Sequence, residues 1–175
     1  AKNGASFLVR KIVNLLNHYF AKKNLQSGFP QVAIYAFDHI GLKINNSGIY
    51  ERDLLDSIMN FLEEQFQVSS FQTTIDIGAN IGNHSLYFSK ISEVVFAFEP
   101  HPETYELLKF NTRNQNSIYT YNFGLSNQDQ TLTLKNSSQN IGGASVSTAH
   151  NELSKKMIFD NEFSINLAML DKQAE

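Results

Sequence analysis

No cysteine occurs anywhere in the 175 residues, so disulfides and thiolate metal sites are excluded. That composition fits a reducing compartment, and the cytoplasm is the default location. No apolar run approaches the ~18 residues of a membrane-spanning helix, and no signal-peptide pattern opens the chain. Metal-ligand spacings such as H-E-x-x-H or a calcium-loop pattern are missing, so no metal is expected. Internal repeats and low-complexity tracts are missing too. A strong basic surplus is lacking: 14 Lys and Arg stand against 17 Asp and Glu, which argues against a nucleic-acid partner. One absence is local. Up to Phe37 there are five basic residues and no acidic one.

What is present is the composition of a globular domain, 42% hydrophobic and 18% charged, in a chain long enough to bury one core. The chain opens on Ala1 rather than Met, as expected of an excerpt or a processed product. Residues 6–23 read as an amphipathic helix, with Leu8, Ile12, Leu15, Leu16, Tyr19 and Phe20 at helical spacing. A basic helix of this kind suits an anionic membrane surface; the commoner arrangement is a helix packed on its own domain, and that is the expectation here. Two short extended segments are expected at 32–37 and 40–44, a turn at Asn45-Asn46-Ser47-Gly48, and a helix over 52–66. The Leu54, Leu55, Ile58, Met59, Leu62 and Phe66 face of that helix is apolar.

From residue 71 the texture changes. Strand candidates at 71–77, 93–98 and 118–125 alternate with helical patterns at 84–90 and 102–115, the βαβαβ rhythm of a parallel sheet covered by helices. Further short strands are expected at 131–134 and 163–167, separated by a polar glycine-bearing stretch at 136–147. The division expected is an N-terminal add-on over 1–68 and a cofactor-binding α/β part over 69–175.

Asp76-Ile77-Gly78-Ala79-Asn80-Ile81-Gly82-Asn83 falls directly after a strand and directly before a helix. Ligands of open α/β folds bind at that carboxyl edge of the sheet. Gly78 permits the turn, Gly82 lets the helix start close to a ligand, and Asn80 best tolerates a left-handed backbone among non-glycine residues. Glu99, at the end of the next strand, stands where an acid meets ribose hydroxyls in nucleotide-binding βαβ units. A dinucleotide site favours G-x-G-x-x-G around a pyrophosphate. Here the spacing is D-x-G-x-x-x-G. A carboxylate at the mouth of the loop suits the ammonium or sulfonium of S-adenosylmethionine better than a diphosphate, so that cofactor is favoured over NAD.

Asp-Ile-Gly-Ala-Asn-Ile-Gly, Phe98-Glu99-Pro100, Asn111 and Gly124-Leu125-Ser126 resemble the FkbM family of S-adenosylmethionine-dependent methyltransferases. Tyr50-Glu51, Gly142-Gly143-Ala144-Ser145 and Leu170-Asp171 are similar to further landmarks of that family, and the resemblance spans roughly residues 48 to 171. It implies a Rossmann-like class I methyltransferase sheet with an N-terminal helical extension. It also implies that Asp76, Gly78, Ala79, Asn80 and Gly82 line the methionine and ribose part of the cofactor, that Glu99 holds the ribose hydroxyls, and that Gly124, Leu125 and Ser126 flank the adenine. The acceptor implied is the hydroxyl of a sugar or natural product. After its Leu-Asp the family continues into a strand with a Lys-x-Asp-Val-Glu-Gly-like motif. This sequence ends at Glu175 without one, so the implied sheet is incomplete on its C-terminal side, and activity of the 175 residues alone is in doubt.

Plainer readings stand beside these. Asp76 could simply cap the loop, Gly78 and Gly82 could be ordinary turn glycines, and Glu99 could be a solvated residue before Pro100. His84 and His101 fall near the carboxyl edge of the sheet and are the candidates for a general base, although a local helix-start hydrogen bond is the commoner role. Tyr105, Tyr119 and Tyr121 read as packing residues. Other functions on the same fold are an NAD-dependent oxidoreductase or a non-catalytic nucleotide-binding module. Oligomeric state is left open.

Overall fold

The computed structural model describes residues 2–36, 38–137, 140–146 and 161–173, with side chains described at 6–36, 38–134 and 161–173. Three helices come first: α1 (Lys2–Gln26), α2 (His39–Ser47) and α3 (Arg52–Phe66). Then β1 (Phe71–Ile77), α4 (Asn83–Phe88), β2 (Ser92–Phe98), α5 (Pro102–Thr112) and β3 (Ile118–Tyr121) follow in strict alternation. These strands form a three-stranded sheet in the order β1-β2-β3, parallel throughout. The βαβαβ expectation is met, because each strand is separated from the next by a helix long enough for a parallel crossover.

β2 lies in the middle and reads as a nearly unbroken apolar run, the pattern of a strand covered on both faces. Val95 and Ala97 are fully buried, and Ala97 forms the core with Ala79 and Leu108 of α5. β1 pairs with β2 alone among the described residues and leaves Ile75 and Ile77 exposed. A second sheet, mixed in direction, contains β4 (Gly124–Leu125), β5 (Gln130–Ser137), β6 (Asn140–Val146) and β7 (Asn161–Ala168) in the order β4-β7-β5-β6. A short 3-10 turn, Leu170–Lys172, follows it.

Four expectations are corrected. Residues 40–44 are helical, within α2, and not a strand. Ile40, Leu42 and Ile44 alternate, but helical backbone separates them: Ile44 is buried while Leu42 is 51% exposed. Residues 32–36 form no strand; the backbone at Ala33 is bonded instead by the Asn111 side chain, and Phe37 lies outside the described residues. The segment expected as one strand over 118–125 is divided. β3 ends at Tyr121, the Asn122 side chain turns back to donate to the Glu99 carbonyl at 2.9 Å, and Gly124 resumes in the second sheet beside β7. Finally, α1 is not covered along its apolar face as expected. It packs on α2 near its C-terminal end, and its apolar face stays exposed.

The polar stretch at 136–147 is in part a β5–β6 hairpin; residues 138–139 and 147 lie outside the described residues.

Candidate cofactor and active site

The site forms where β1 and β2 end side by side. Asp76 pairs in register with Ala97, two residues before Glu99, so both acids leave the same edge of the sheet. Each is buried, at 7% exposure, and burial pushes both carboxyls above the ordinary carboxylate range. For Asp76 this is opposed by hydrogen bonds from Ser85 and by nearby His84; for Glu99 it is opposed by backbone N–H groups and reinforced by the charge of Asp76. The two acids therefore sense one another across the strand ends.

Between them runs the glycine loop. Gly78, Asn80 and Gly82 all take positive φ, at 76°, 50° and 90°. A Cβ added at Gly78 would meet nothing within 4 Å, so only the backbone angle demands glycine there, and the space above it is open. Gly82 also has a packing reason. A Cβ there would come within 2.8 Å of Leu108 and 3.2 Å of Thr112, so the residue lets α5 close against the loop.

The N–H groups of this loop are spoken for. Those of Gly78 and Ala79 both donate to the Phe98 carbonyl, at 2.9 and 3.0 Å. Asn80 N–H donates to Glu99 Oε2 at 2.9 Å, Ile81 N–H to the Asn80 side chain at 2.7 Å, and Gly82 N–H to the Ala79 carbonyl at 2.8 Å. A phosphate cradle works by offering free N–H groups to the anion; this loop has spent its own. It presents instead two desolvated acids, an acceptor set suited to hydroxyls and to positive charge.

Glu99 is not a solvated residue before a proline. Its Oε1 accepts the His101 N–H at 2.8 Å while Oε2 holds the loop, and further lone pairs remain for a ligand. Asp76 is held from α4, where the Ser85 hydroxyl in the first turn donates to Oδ2 at 2.5 Å. Gly124 runs close beside Pro100, where a Cβ would approach to 3.4 Å, and Ser126 N–H donates to the Ala168 carbonyl at 3.0 Å. Gly124 is thereby brought up to the Glu99-Pro100 corner, with Leu125 and Ser126 leading away along β7.

His101 and His84 differ in surroundings. His101 is 2% exposed, its ring 4.2 Å from that of Phe163, and its Nδ1 accepts the Thr104 N–H at 3.3 Å as the cap of α5. Burial holds its pKa below the ordinary histidine value. His84 is one-third exposed, stacks on Tyr50, and places Nε2 3.4 Å from Glu51 Oε2 without an aligned hydrogen bond. Glu51 itself has φ 57°, a left-handed conformation that costs a non-glycine residue about 1–2 kcal/mol.

Three residues outside the expected site set organise it, although Asn83 closes the loop motif and Asn111 is one of the landmarks of the resemblance. Asn83 exchanges two bonds with the Tyr50 backbone, at 3.0 and 3.1 Å, and so pins the Tyr50-Glu51 corner to the start of α4. Asn111 donates to the Ile81 carbonyl at 2.8 Å and also bridges to Ala33, tying α5, the loop and the N-terminal strap together. Ser85, fully buried, orients Asp76. Repeated Asn and Ser near a strand-helix junction is the available signal, but their partners are 33 and 78 residues away for Asn83 and Asn111. Beside Tyr50 and Glu51 a polar cavity of about 480 Å³ opens, lined also by Lys23, Asn24, Lys43 and Arg52, with Phe29 on its wall.

A family model described as the methyltransferase FkbM domain matches residues 76–166. No curated protein matches the chain. Among solved structures, the crystal structure of a methyltransferase FkbM from Methylobacillus flagellatus is similar at 15% identity and a TM-score of 0.35. The similarity covers 61% of this chain, which spans only 23% of that one.

Proposed function

The chain belongs to the FkbM methyltransferase family, and from that premise we propose that its glycine loop holds S-adenosylmethionine on a Rossmann-like sheet for methyl transfer to a hydroxyl group. The observation that carries the cofactor reading is the pairing of a loop with no N–H to spare and two buried acids. A pyrophosphate would find the N–H groups of Gly78 to Gly82 already engaged and two like charges beside them, which disfavours the nicotinamide dinucleotide reading. A cationic ligand whose ribose presents hydroxyls finds acceptors at both ends.

When bound, the cofactor supplies an electrophilic methyl carbon with a neutral thioether as leaving group. The residues then have three tasks. Asp76 and the Gly78–Gly82 loop receive the methionine and ribose portion, and Glu99 accepts from the ribose hydroxyls. Gly124, Leu125 and Ser126 bound the adenine side.

His84 is the base we favour over His101, because His101 is sealed inside and its Nδ1 is engaged as a helix cap. His84 has a carboxylate neighbour, with Glu51 Oε2 3.4 Å from its Nε2, and Glu51 also lines the polar cavity. An acceptor hydroxyl entering from that cavity would give its proton to the His84–Glu51 pair. A sugar or natural-product hydroxyl is the acceptor class we favour.

Isothermal titration of the chain with S-adenosylmethionine, S-adenosylhomocysteine and NADH tests the cofactor reading. The first two bind and NADH does not. Heat from NADH, with none from either sulfur compound, overturns it.

A further inference from the structure

α1 takes no part in the chemistry proposed above, yet among the described residues it carries nine of the 19 exposed large apolar side chains. From 6 to 26 every side chain except Phe20 and Asn24 is exposed. Leu8 is 59% exposed, Ile12 48%, Leu15 70%, Leu16 50% and Tyr19 60%. At ~100° per residue these five fall within an arc of about 100° on a helix about 37 Å long. Arg10, Asn14 and Asn17 occupy the opposite side, with exposed Phe7 and Leu25 at its margin; Lys11 and Lys22 border the apolar arc, and Lys23 falls inside it near one edge. A soluble surface helix does not ordinarily leave such a stripe facing water.

Charge selects the occupant. α3 also exposes apolar residues, Leu54, Ile58 and Phe66, but among Asp53, Asp56, Glu63 and Glu64. α1 has five basic residues in its neighbourhood, up to Phe37, and no acid. An anionic surface would be repelled by α3 and attracted by α1. The α1 geometry, with apolar residues on one side and lysines at the border, is that of a helix lying in the plane of a bilayer interface, where the lysine heads reach phosphate while the stripe sinks among acyl chains. No helix among the described residues is long and apolar enough to cross a membrane. We propose that α1 docks the protein on an anionic lipid bilayer, parallel to its surface.

Vesicle flotation of the full chain tests this, using phosphatidylcholine alone and phosphatidylcholine mixed with phosphatidylglycerol. The protein floats with the mixed vesicles and much less with the neutral ones. Added salt weakens the binding, since the screening length shrinks from ~8 Å at physiological salt to ~3 Å at 1 M. Each base near such a surface contributes roughly fivefold, so Lys11→Glu with Lys22→Glu lowers binding at least about 25-fold. Leu15→Glu abolishes it while the far-ultraviolet circular dichroism is retained. Three results overturn the proposal: no flotation with either vesicle, binding indifferent to the charge reversals, or a sedimenting dimer that Leu15→Glu converts to monomer, which would make a second copy the occupant.

Discussion

Glu99 joins three parts of the site through one carboxylate: the loop at Asn80, the cap residue His101, and the space where ribose hydroxyls would lie. Its structural and binding roles can be separated by substitution. Glu99→Ala removes both, so S-adenosylmethionine binding falls roughly tenfold or more and the thermal midpoint drops as Asn80 and His101 N–H groups lose their acceptor. Glu99→Gln keeps one oxygen for a backbone donor and loses the charge. It restores most of the midpoint and little of the affinity in titration calorimetry. Equal affinity for wild type and Glu99→Gln would remove Glu99 from the ligand. At this scale the sequence was legible where backbone conformation dictates residue type. Asn80 was expected to take a left-handed φ and adopts it, as do Gly78, expected at the turn, and Gly82. Glu51 and Gln67 do so as well, with nothing in their chemistry to announce it.

Elements were readable when one interaction dominated their burial. β1 and α3 begin and end where their patterns placed them, at Phe71–Ile77 and Arg52–Phe66. The alternation Ile40, Leu42, Ile44 misled because five residues fit either period. The helix prevails with Gly48 at its C-terminus, whose N–H donates to the Ile44 carbonyl at 2.8 Å and whose missing Cβ makes room for the Phe29 ring. The strap at 31–35 shows a second limit. Its Ala33 backbone is held by one side chain, with Asn111 accepting from Ala33 N–H at 2.7 Å and donating to Ala33 O at 3.0 Å, in place of a strand neighbour. A residue 78 positions away cannot be read as a ladder partner from local pattern. Asn111→Leu deletes these two bonds and the one to Ile81, and leaves buried backbone groups unpaired. At about 1 kcal/mol per bond, the loss of stability is about 2–4 kcal/mol in a urea melt. A change under ~0.5 kcal/mol would show that the strap does not depend on Asn111.

On the scale of the whole molecule, proton binding links stability to the ligand. Asp76 and Glu99 have folded-state pKa values raised by burial. Their contribution to stability is fully present below their unfolded values, near 4, and is lost as pH rises through the raised ones. His101 is lowered by burial, so its contribution is present above its unfolded value, near 6.5, and is lost as pH falls through the depressed one. The unliganded protein is thus opposed by its own two carboxylates at neutral pH, which is the condition a cationic ligand relieves. Binding such a ligand stabilises the ionised acids, so protons are released on binding, and affinity strengthens as pH rises through the raised carboxyl values. Titrations at one pH in two buffers of different ionisation heat measure that release directly. Proton uptake, or affinity that strengthens on acidification, would mean that the ligand wants these acids neutral and would remove the electrostatic argument for a sulfonium at this loop.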